Sequence, residues 1–277
     1  MKKRVTINTL MEMKNRGEKI TMLTAYDYPT AKILDEVGID SILVGDSAAN
    51  VIMGYPDTRP VSMDEMIHHT KMVSRAISNT FLIGDMPFMS YQVSIDEAIR
   101  NAGRFIKEAN VDAVKLEGRY FETIERLTES GIPVVGHLGL TPQSASLLGG
   151  YVVQGKTSDK AKRLINDAEK IETSGAIMLV LEMVPEEVAR TISRRLRIPV
   201  IGIGAGVGCD GQVLVLHDML GLGGSFKFLK KYASLREIIS EAVHNYIADV
   251  KGKRFPSKEQ SFQMPPSELK KLKRYIK

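Results

Sequence analysis

The chain has 277 residues, of which 43% are hydrophobic and 26% charged, a globular composition long enough for one large core. A single cysteine, Cys209, excludes an intrachain disulfide and fits a reducing compartment. The longest apolar run, 176–181, is too short to span a bilayer. We therefore expect a soluble, cytoplasmic protein without a membrane partner. The net charge of +5 comes from residues 251–277, which hold nine Lys and Arg against two acids; residues 1–250 carry −2, and we expect no nucleic-acid partner.

Eight short apolar runs, rich in Val, Ile and Leu, recur along the chain and predict its strands. Runs that are apolar almost throughout are typical of strands buried on both faces, as in parallel sheets. In chain order they are ITMLTAY (20–26), SILVGD (41–46), FLIGDMP (81–87), AVKLEG (113–118), PVVGHLG (133–139), IMLVLEMV (177–184), PVIGIGAG (199–206) and QVLVLHDML (212–220).

Helical patterns alternate with these runs. They include YPTAKILDEVG (28–38), SIDEAIRNAGRFIKEAN (94–110), TSDKAKRLINDAEKIETSG (157–175) and PEEVARTISRRL (185–196). In the second segment, Ser94 and Glu97 have the spacing of a capping box. Eight strands alternating with helices predict a (β/α)8 barrel, with a doubly wound open sheet as the alternative. The connection between the seventh and eighth strands is too short for a full helix.

The predicted organisation is one barrel domain followed by a short tail. The domain covers 1–262, and the basic tail 263–277 holds a short helix that Ser267 would cap. The basic face of that helix is solvated in the simplest interpretation, and contact with a membrane surface or a polyanion is the alternative. Two long connections, 47–62 and 140–160, are predicted to be binding loops or lids.

The chemistry-bearing residues fall at the ends of the predicted strands. In a parallel barrel these ends converge on one face, which holds the active site. Lys115 and Glu117 are two residues apart on one strand, so their side chains point the same way. The full set is Asp46, Asp85, Lys115, Glu117, His137 and Glu182.

Four carboxylates in one small apolar cavity need nearby cations to stay ionised. Oxygen donors without a His pair or a Cys cluster favour Mg²⁺, with Mn²⁺ or Co²⁺ as alternatives. We therefore predict Asp46 and Asp85 as direct metal ligands, with Glu117 binding directly or through water. In the alternative interpretation the acids only cap the following helices, and His137 is a buried, hydrogen-bonded imidazole.

Three further motifs carry less weight. GYVVQGKT (150–157) matches the phosphate-loop pattern, but no clean strand precedes it and its interior is bulky. GVGCDG (206–211) matches the dinucleotide pattern, but a strand follows it where a helix is needed. His68 and His69 lie in a helical pattern and are predicted to be ordinary helix surface and packing.

The strand-end segments resemble those of the ketopantoate hydroxymethyltransferase family. The resemblance covers residues 24–221 in order, and GHLGLTPQS and the GIGAG…DGQ pair are specific to the family. The matching segments are TAYDY (24–28), LVGDS (43–47), DMPFMSY (85–91), VKLEG (114–118), GHLGLTPQS (136–144), GGYVVQGK (149–156), LVLEMVP (179–185), PVIGIGAG (199–206) and DGQVLVLHDMLG (210–221).

The resemblance implies a (β/α)8 TIM barrel of the phosphoenolpyruvate/pyruvate type. It further implies transfer of a hydroxymethyl group from the co-substrate 5,10-methylenetetrahydrofolate to 3-methyl-2-oxobutanoate, through an enolate stabilised by Mg²⁺. In this scheme Glu182 is the base and His137 donates to the oxo oxygen. The substrate-binding residues are Asp46, Ser47, Asp85 and Lys115.

The family also forms large rings, often decamers, so the resemblance implies a homo-oligomer. The chain departs from the family at Ala48-Ala49-Asn50, where Leu-Gly-Met is usual, and in the tail, which extends past the family's usual end. Another Mg²⁺-dependent lyase or phosphonomutase acting on a 2-oxo acid is the nearest alternative function. A nucleotide-binding protein using 150–157 is the alternative from another class.

Overall fold

Eight parallel strands close into a barrel in the computed structural model, which describes residues 3–276. Neighbours in sequence are neighbours in the barrel, and the eighth strand pairs with the first, for example Ile20 with Gly211. The (β/α)8 prediction is therefore confirmed, and the open sheet is excluded. The strands are β1 (Ile20–Thr24), β2 (Ser41–Val44), β3 (Phe81–Asp85), β4 (Ala113–Glu117), β5 (Val134–Gly139), β6 (Met178–Glu182), β7 (Val200–Ile203) and β8 (Gly211–Leu214).

Helices follow most of the strands. As predicted, no helix lies between β7 and β8. The strand predicted over 212–220 is shorter than expected: it ends at Leu214, and a short helix follows it. The helices of the barrel unit are α1 (Ile7–Arg16), α2 (Tyr28–Val37), α3 (Ala48–Val51), α4 (Met63–Ala76), α5 (Ile95–Ala109), α6 (Phe121–Glu129), α7 (Ser158–Thr173), α8 (Glu186–Arg195) and α9 (Leu216–Met219).

The chain divides into two compact units, one ending at Lys231 and the other beginning at Tyr232. This division falls before the boundary at 262 that the sequence predicts. The second unit contains α10 (Leu235–Lys251) and α11 (Pro266–Ile276). The tail helix therefore begins one residue before Ser267, which lies inside it and is not its cap. None of the helices among residues 3–276 combines the length and the apolar character needed to cross a membrane.

Helix ends follow the local signals of the sequence. Gly38 ends α2 in a left-handed conformation, at φ 94°. Ser94 caps α5: its side-chain oxygen accepts a hydrogen bond from the backbone amide of Glu97 at 3.2 Å. This is one of the two hydrogen bonds of the predicted capping box. Complete reciprocal boxes form at α4, between Ser62 and Glu65, and at α1, between Thr6 and Thr9.

The helix α1 was not among the predicted elements, and it contacts the barrel at the N-terminal ends of the strands. Its Leu10 belongs to the same buried cluster as the inward-facing strand residues. Its Lys14 ammonium donates to the carbonyls of Ser193 and Ile198 and to Asp210 Oδ2, each within 2.8 Å. The two connections predicted as loops contain one short helix each, α3 and a 3-10 turn at Pro142–Ser144.

Candidate active site

Successive side chains of a strand point to opposite faces, and this alternation places the predicted site residues on the interior face of the barrel. On β3, Phe81 and Ile83 face the barrel interior, so Asp85, two residues further, points the same way. The same alternation places Lys115 and Glu117 beyond Ala113 on β4. Apolar side chains thus fill the interior, and ionisable ones stand above them at the carboxyl ends, where (β/α)8 enzymes carry their active sites.

All seven predicted site residues line one cavity at this end of the barrel. Its volume is about 670 Å³. Five of the seven are almost completely buried, with 5% or less of each residue exposed: Asp46, Asp85, Lys115, Glu117 and His137. Glu182 keeps 16% of its side chain exposed.

A buried lysine joins two of the carboxylates. Lys115 Nζ lies 2.8 Å and 2.9 Å from the two carboxylate oxygens of Asp85 and 3.4 Å from Glu117 Oε1. Burial opposes a charge on this lysine, but the carboxylates of Asp85, Glu117 and Asp46 outweigh burial and raise its pKa. Lys115 therefore remains charged and holds Asp85 and Glu117 on either side of it.

His137 lies between the other two carboxylates. Its Nδ1 is 3.3 Å from Glu117 Oε1 and its Nε2 is 3.4 Å from Glu182 Oε2. Neither ring nitrogen meets hydrogen-bond geometry, so these contacts are electrostatic. Burial and Lys115 lower the pKa of His137, but Glu117 and Glu182 outweigh them and raise it to about 9.

Gln143 is a buried member of the site that sequence reasoning missed. Its Nε2 donates to Asp46 Oδ2 and to the carbonyl of Met86, both at 3.0 Å. Its backbone amide donates to Glu117 Oε2 at 3.1 Å. Gln143 lies in the GHLGLTPQS segment, so the only available signal was the resemblance, because an amide side chain in a loop is no motif by itself.

Two tyrosines hold this arrangement in place. The Tyr91 hydroxyl donates to Gln143 Oε1 at 2.6 Å and also contacts the backbone of Glu117. The hydroxyl groups of Tyr26 and Ser47 are 2.8 Å apart, which fixes the predicted substrate-binding Ser47 in the turn between β2 and α3. Both tyrosines are buried, and burial raises the pKa of each above its ordinary value.

Acidic side chains outnumber basic ones in the cavity. Burial and the carboxylates of Asp85 and Glu117 raise the pKa of Asp46 well above its ordinary value. Burial also acts on Glu117, but Lys115 and His137 outweigh it and lower that pKa to about 2. With all four carboxylates ionised, one ammonium and one imidazolium would leave two negative charges unbalanced among the protein's own groups. Burial and this excess raise the pKa of Asp46 and also that of Asp85.

This excess fits a divalent cation bound by few protein ligands. Among residues 3–276 no three His, Cys, Asp or Glu side chains form a ready metal site. Lys115 occupies the space between Asp85 and Glu117 that a three-carboxylate site would need. Mg²⁺ usually takes one or two carboxylates and completes its octahedron with water and substrate, so Asp46 and Asp85 suffice.

The remaining motifs stand apart from this chemistry. Residues 150–157 precede the helix α7, but turns and not a strand lie before them, so only half of the phosphate-loop context is present. Residues 206–211 lead into the strand β8. His69 contacts the carbonyl of Tyr26 through Nδ1 at 2.7 Å, and His68 is on the helix surface, so this pair serves packing.

Comparisons with known proteins give one consistent family. A family model described as ketopantoate hydroxymethyltransferase matches residues 4–258. The chain is 54% identical to a 3-methyl-2-oxobutanoate hydroxymethyltransferase of Syntrophus aciditrophicus (strain SB), covering 94% of this chain and 97% of the relative. It is 53% identical to the protein of the same name in Clostridium novyi (strain NT), covering 96% and 98%.

The fold has solved counterparts at low identity. A phosphoenolpyruvate phosphomutase from Streptomyces platensis subsp. rosaceus matches with a TM-score of 0.62 at 13% identity, covering 98% of this chain and 96% of that one. At this identity the likeness concerns the fold alone. It agrees with the predicted (β/α)8 barrel.

Proposed function

The chain belongs to the ketopantoate hydroxymethyltransferase family, and from this premise we propose that it makes ketopantoate from 3-methyl-2-oxobutanoate and 5,10-methylenetetrahydrofolate. The observation that carries the proposal is the buried, negatively charged cluster above an apolar barrel interior. A small 2-oxo acid, with its own carboxylate and oxo oxygen, fits such a cluster only together with a cation. The balanced reaction consumes water, which supplies the new hydroxyl oxygen, and releases tetrahydrofolate.

Asp46 and Asp85 would hold Mg²⁺, with Glu117 as a further ligand, direct or through water. When bound, Mg²⁺ supplies Lewis-acid polarisation of the 2-oxo acid and neutralises the excess negative charge. The donor set supports this assignment, since carboxylate oxygens are the ligands that Mg²⁺ prefers.

The other residues bind and orient the oxo acid. Lys115 is held charged beside Asp85, where it would pair with the substrate carboxylate. Ser47, fixed by Tyr26, would donate a hydrogen bond to the same group. His137 would donate to the oxo oxygen, where negative charge develops as the C3 proton leaves.

Glu182 is the proposed base that removes the C3 proton. It is the most exposed acid of the cluster, it ends β6, and its Oε2 lies 3.4 Å from His137 Nε2. That contact would orient its carboxylate toward the substrate. The carbanion at C3, delocalised as an enolate, then attacks the methylene carbon of the donor as one of the two C–N bonds of that carbon breaks. Water replaces the second nitrogen, which gives the hydroxymethyl group and releases tetrahydrofolate.

We expect Glu182→Gln to abolish exchange of the C3 proton of 3-methyl-2-oxobutanoate with deuterated solvent. General bases contribute about 10²–10⁴-fold to such steps. The exchange is followed by proton NMR, and binding of the oxo acid with Mg²⁺ is measured separately by calorimetry. Since Gln preserves the size and shape of the side chain, binding should persist.

Glu187→Gln is the matched control, because Glu187 lies in the first turn of α8 and does not line the cavity. Its exchange rate should equal that of the wild type. Undiminished exchange in Glu182→Gln would remove Glu182 as the base. Absence of ketopantoate when the wild type receives both substrates and Mg²⁺ would refute the proposed reaction.

A further inference from the structure

The site cavity has two chemically different parts. Its inner part is the charged cluster. Its outer part belongs to segments that follow the strands and is apolar and partly aromatic, with Val51, Pro56, Tyr151, Met183, Phe226 and Phe228. At about 670 Å³ the cavity lies within the range of about 300–1,000 Å³ that suits drug-sized ligands. A small branched oxo acid at the charged end therefore leaves room for a second, larger ligand.

Two phenylalanines form a flat surface in the outer part. The rings of Phe226 and Phe228 are nearly parallel, with an interplanar angle of 8° and centroids 5.5 Å apart, which is an offset stack. Phe226 is 47% exposed, although aromatic rings are usually covered. A guest between the rings would need a separation of about 7 Å, twice a van der Waals contact. A planar ligand would therefore stack on the free side of the pair.

Glycines hold these rings close to the backbone. A Cβ on Gly204, at the end of β7, would lie 2.9 Å from Phe228 Cδ1, and one on Gly224 would lie 2.8 Å from Phe226 Cε2. Both distances are too short for ordinary contact, so each ring packs directly against a glycine. Gly204 also has φ +63°, a left-handed conformation that favours glycine.

A third aromatic side chain comes from the segment between β5 and α7. Tyr151 lines the same cavity and is 54% exposed. Partial burial, and then the carboxylates of Asp57 and Glu182, raise the pKa of its phenol. Tyr151 is thus within electrostatic range of the charged end, and exposed aromatic groups gathered on one cavity are typical of a binding site.

We propose that Phe226, Phe228 and Tyr151 bind the planar heteroaromatic ring of the one-carbon donor by stacking. The inference rests on the proposed function, because only a transfer reaction requires a second, aromatic substrate in this cavity. The outer part adjoins the charged end, so a ring stacked there brings the donor's methylene carbon toward the C3 carbon of the oxo acid. Proximity of this kind is a large part of catalysis in two-substrate reactions.

The test is the affinity of the full-length protein for tetrahydrofolate, measured by calorimetry in the presence of Mg²⁺ and the oxo acid. Phe226→Leu and the double variant Phe226→Leu/Phe228→Leu keep apolar bulk but remove stacking. We expect the Kd to rise about tenfold or more, the range seen when aromatic stacking partners of nucleobases are removed. Phe226→Tyr should restore the affinity, because it restores the ring.

Phe121→Leu is the matched control. Phe121 lines a separate cavity of about 720 Å³ beside α6 and α7, so the same substitution is made in another large cavity. Its Kd for tetrahydrofolate should equal that of the wild type. Loss of affinity in Phe121→Leu with normal affinity in the Phe226 and Phe228 variants would place the ring in the second cavity and overturn the proposal.

Proton exchange separates this inference from the proposed function. Exchange at C3 of the oxo acid needs only the charged end, so the double variant should keep it while its KM for the donor rises about tenfold. A wild type that catalyses neither exchange nor transfer would refute the proposed function itself. Normal exchange and transfer in the wild type, with unchanged donor affinity in the double variant, would overturn this inference alone.

Discussion

Gln143 shows how one side chain organises the cluster. It is 3% exposed and contacts two of the candidate metal ligands, Asp46 through its side chain and Glu117 through its backbone amide. Its own carbonyl oxygen is satisfied by Tyr91 and Gln92. A buried amide whose hydrogen bonds are satisfied on both sides has a fixed orientation, so Gln143 positions both carboxylates.

We expect Gln143→Ala to weaken Mg²⁺ binding about 10–100-fold, the usual loss when a group that orients metal ligands is removed. Calorimetric titration of the substrate-free protein with Mg²⁺ measures this directly and does not depend on turnover. Gln154→Ala, which loses only a local bond to the Val152 carbonyl, is the control and should bind Mg²⁺ normally. Wild-type affinity for Mg²⁺ in Gln143→Ala would show that the Gln143 side chain does not position Asp46.

At the scale of elements, one carboxylate on α2 anchors the segment that leads into β3. Asp35 accepts hydrogen bonds from the amides of Ser78, Asn79 and Thr80 and from the Thr80 hydroxyl, at 2.7–3.1 Å. Burial alone would raise the pKa of Asp35, but these hydrogen bonds outweigh it and lower the pKa. The ionised form is therefore the one that stabilises the fold.

We predict that Asp35→Asn lowers the free energy of unfolding by about 2 kcal/mol at pH 7, the scale of hydrogen bonds to a charged group. Because the pKa is lower in the folded state, this stabilisation is complete above the unfolded value of about 3.9 and is lost as the pH falls through the folded value. The difference between wild type and variant should therefore shrink below pH 4 in urea unfolding experiments.

The control for this prediction is Asp96→Asn, at an exposed position in the first turn of α5. It loses only a favourable helix-dipole interaction, so its cost should stay below about 1 kcal/mol. A cost for Asp35→Asn that does not change between pH 7 and pH 3 would mean that the charge of Asp35 contributes nothing.

At the scale of the whole molecule, the second unit displays apolar side chains. No residue of α10 is buried, and it exposes Ile238, Ile239, Val243, Tyr246 and Ile247. Apolar patches of this kind are uncommon on monomers and typical of protein interfaces. They agree with the homo-oligomer that the family resemblance implies, which stays a prediction.

We expect the protein to sediment as a multiple of its 30.7 kDa chain mass, with ten chains as the expected number. Val243→Lys should shift the distribution toward smaller species, because a charge within an apolar interface is costly. Lys251→Glu, a charge change at the end of the same helix, should have a smaller effect. A wild type that sediments as a monomer at micromolar concentration would refute the prediction.

Much of the barrel was readable in the sequence because its signals are local. Apolar runs, glycine stops and capping residues each lie within a few positions of the element they define, and the alternation along β4 alone places Lys115 and Glu117 on one side. The prediction that the ionisable side chains at the strand ends face the barrel interior followed from the same alternation. The helix α1 was missed because its amphipathic face has meaning only against the closed bottom of the barrel, where Leu10 is buried.

The sequence by itself determined the order of the eight strands, several of the helices between them, the inward-facing ionisable residues and, through motif resemblance, the family. Only the tertiary structure decided how those residues meet. Gln143 reaches Asp46 across 97 positions of sequence, and Lys115 lies between Asp85 and Glu117, contacts that exist only once the barrel closes. The physical reason is that side-chain direction is set by local backbone geometry, whereas distances between strand ends are set by closure and packing of the whole chain.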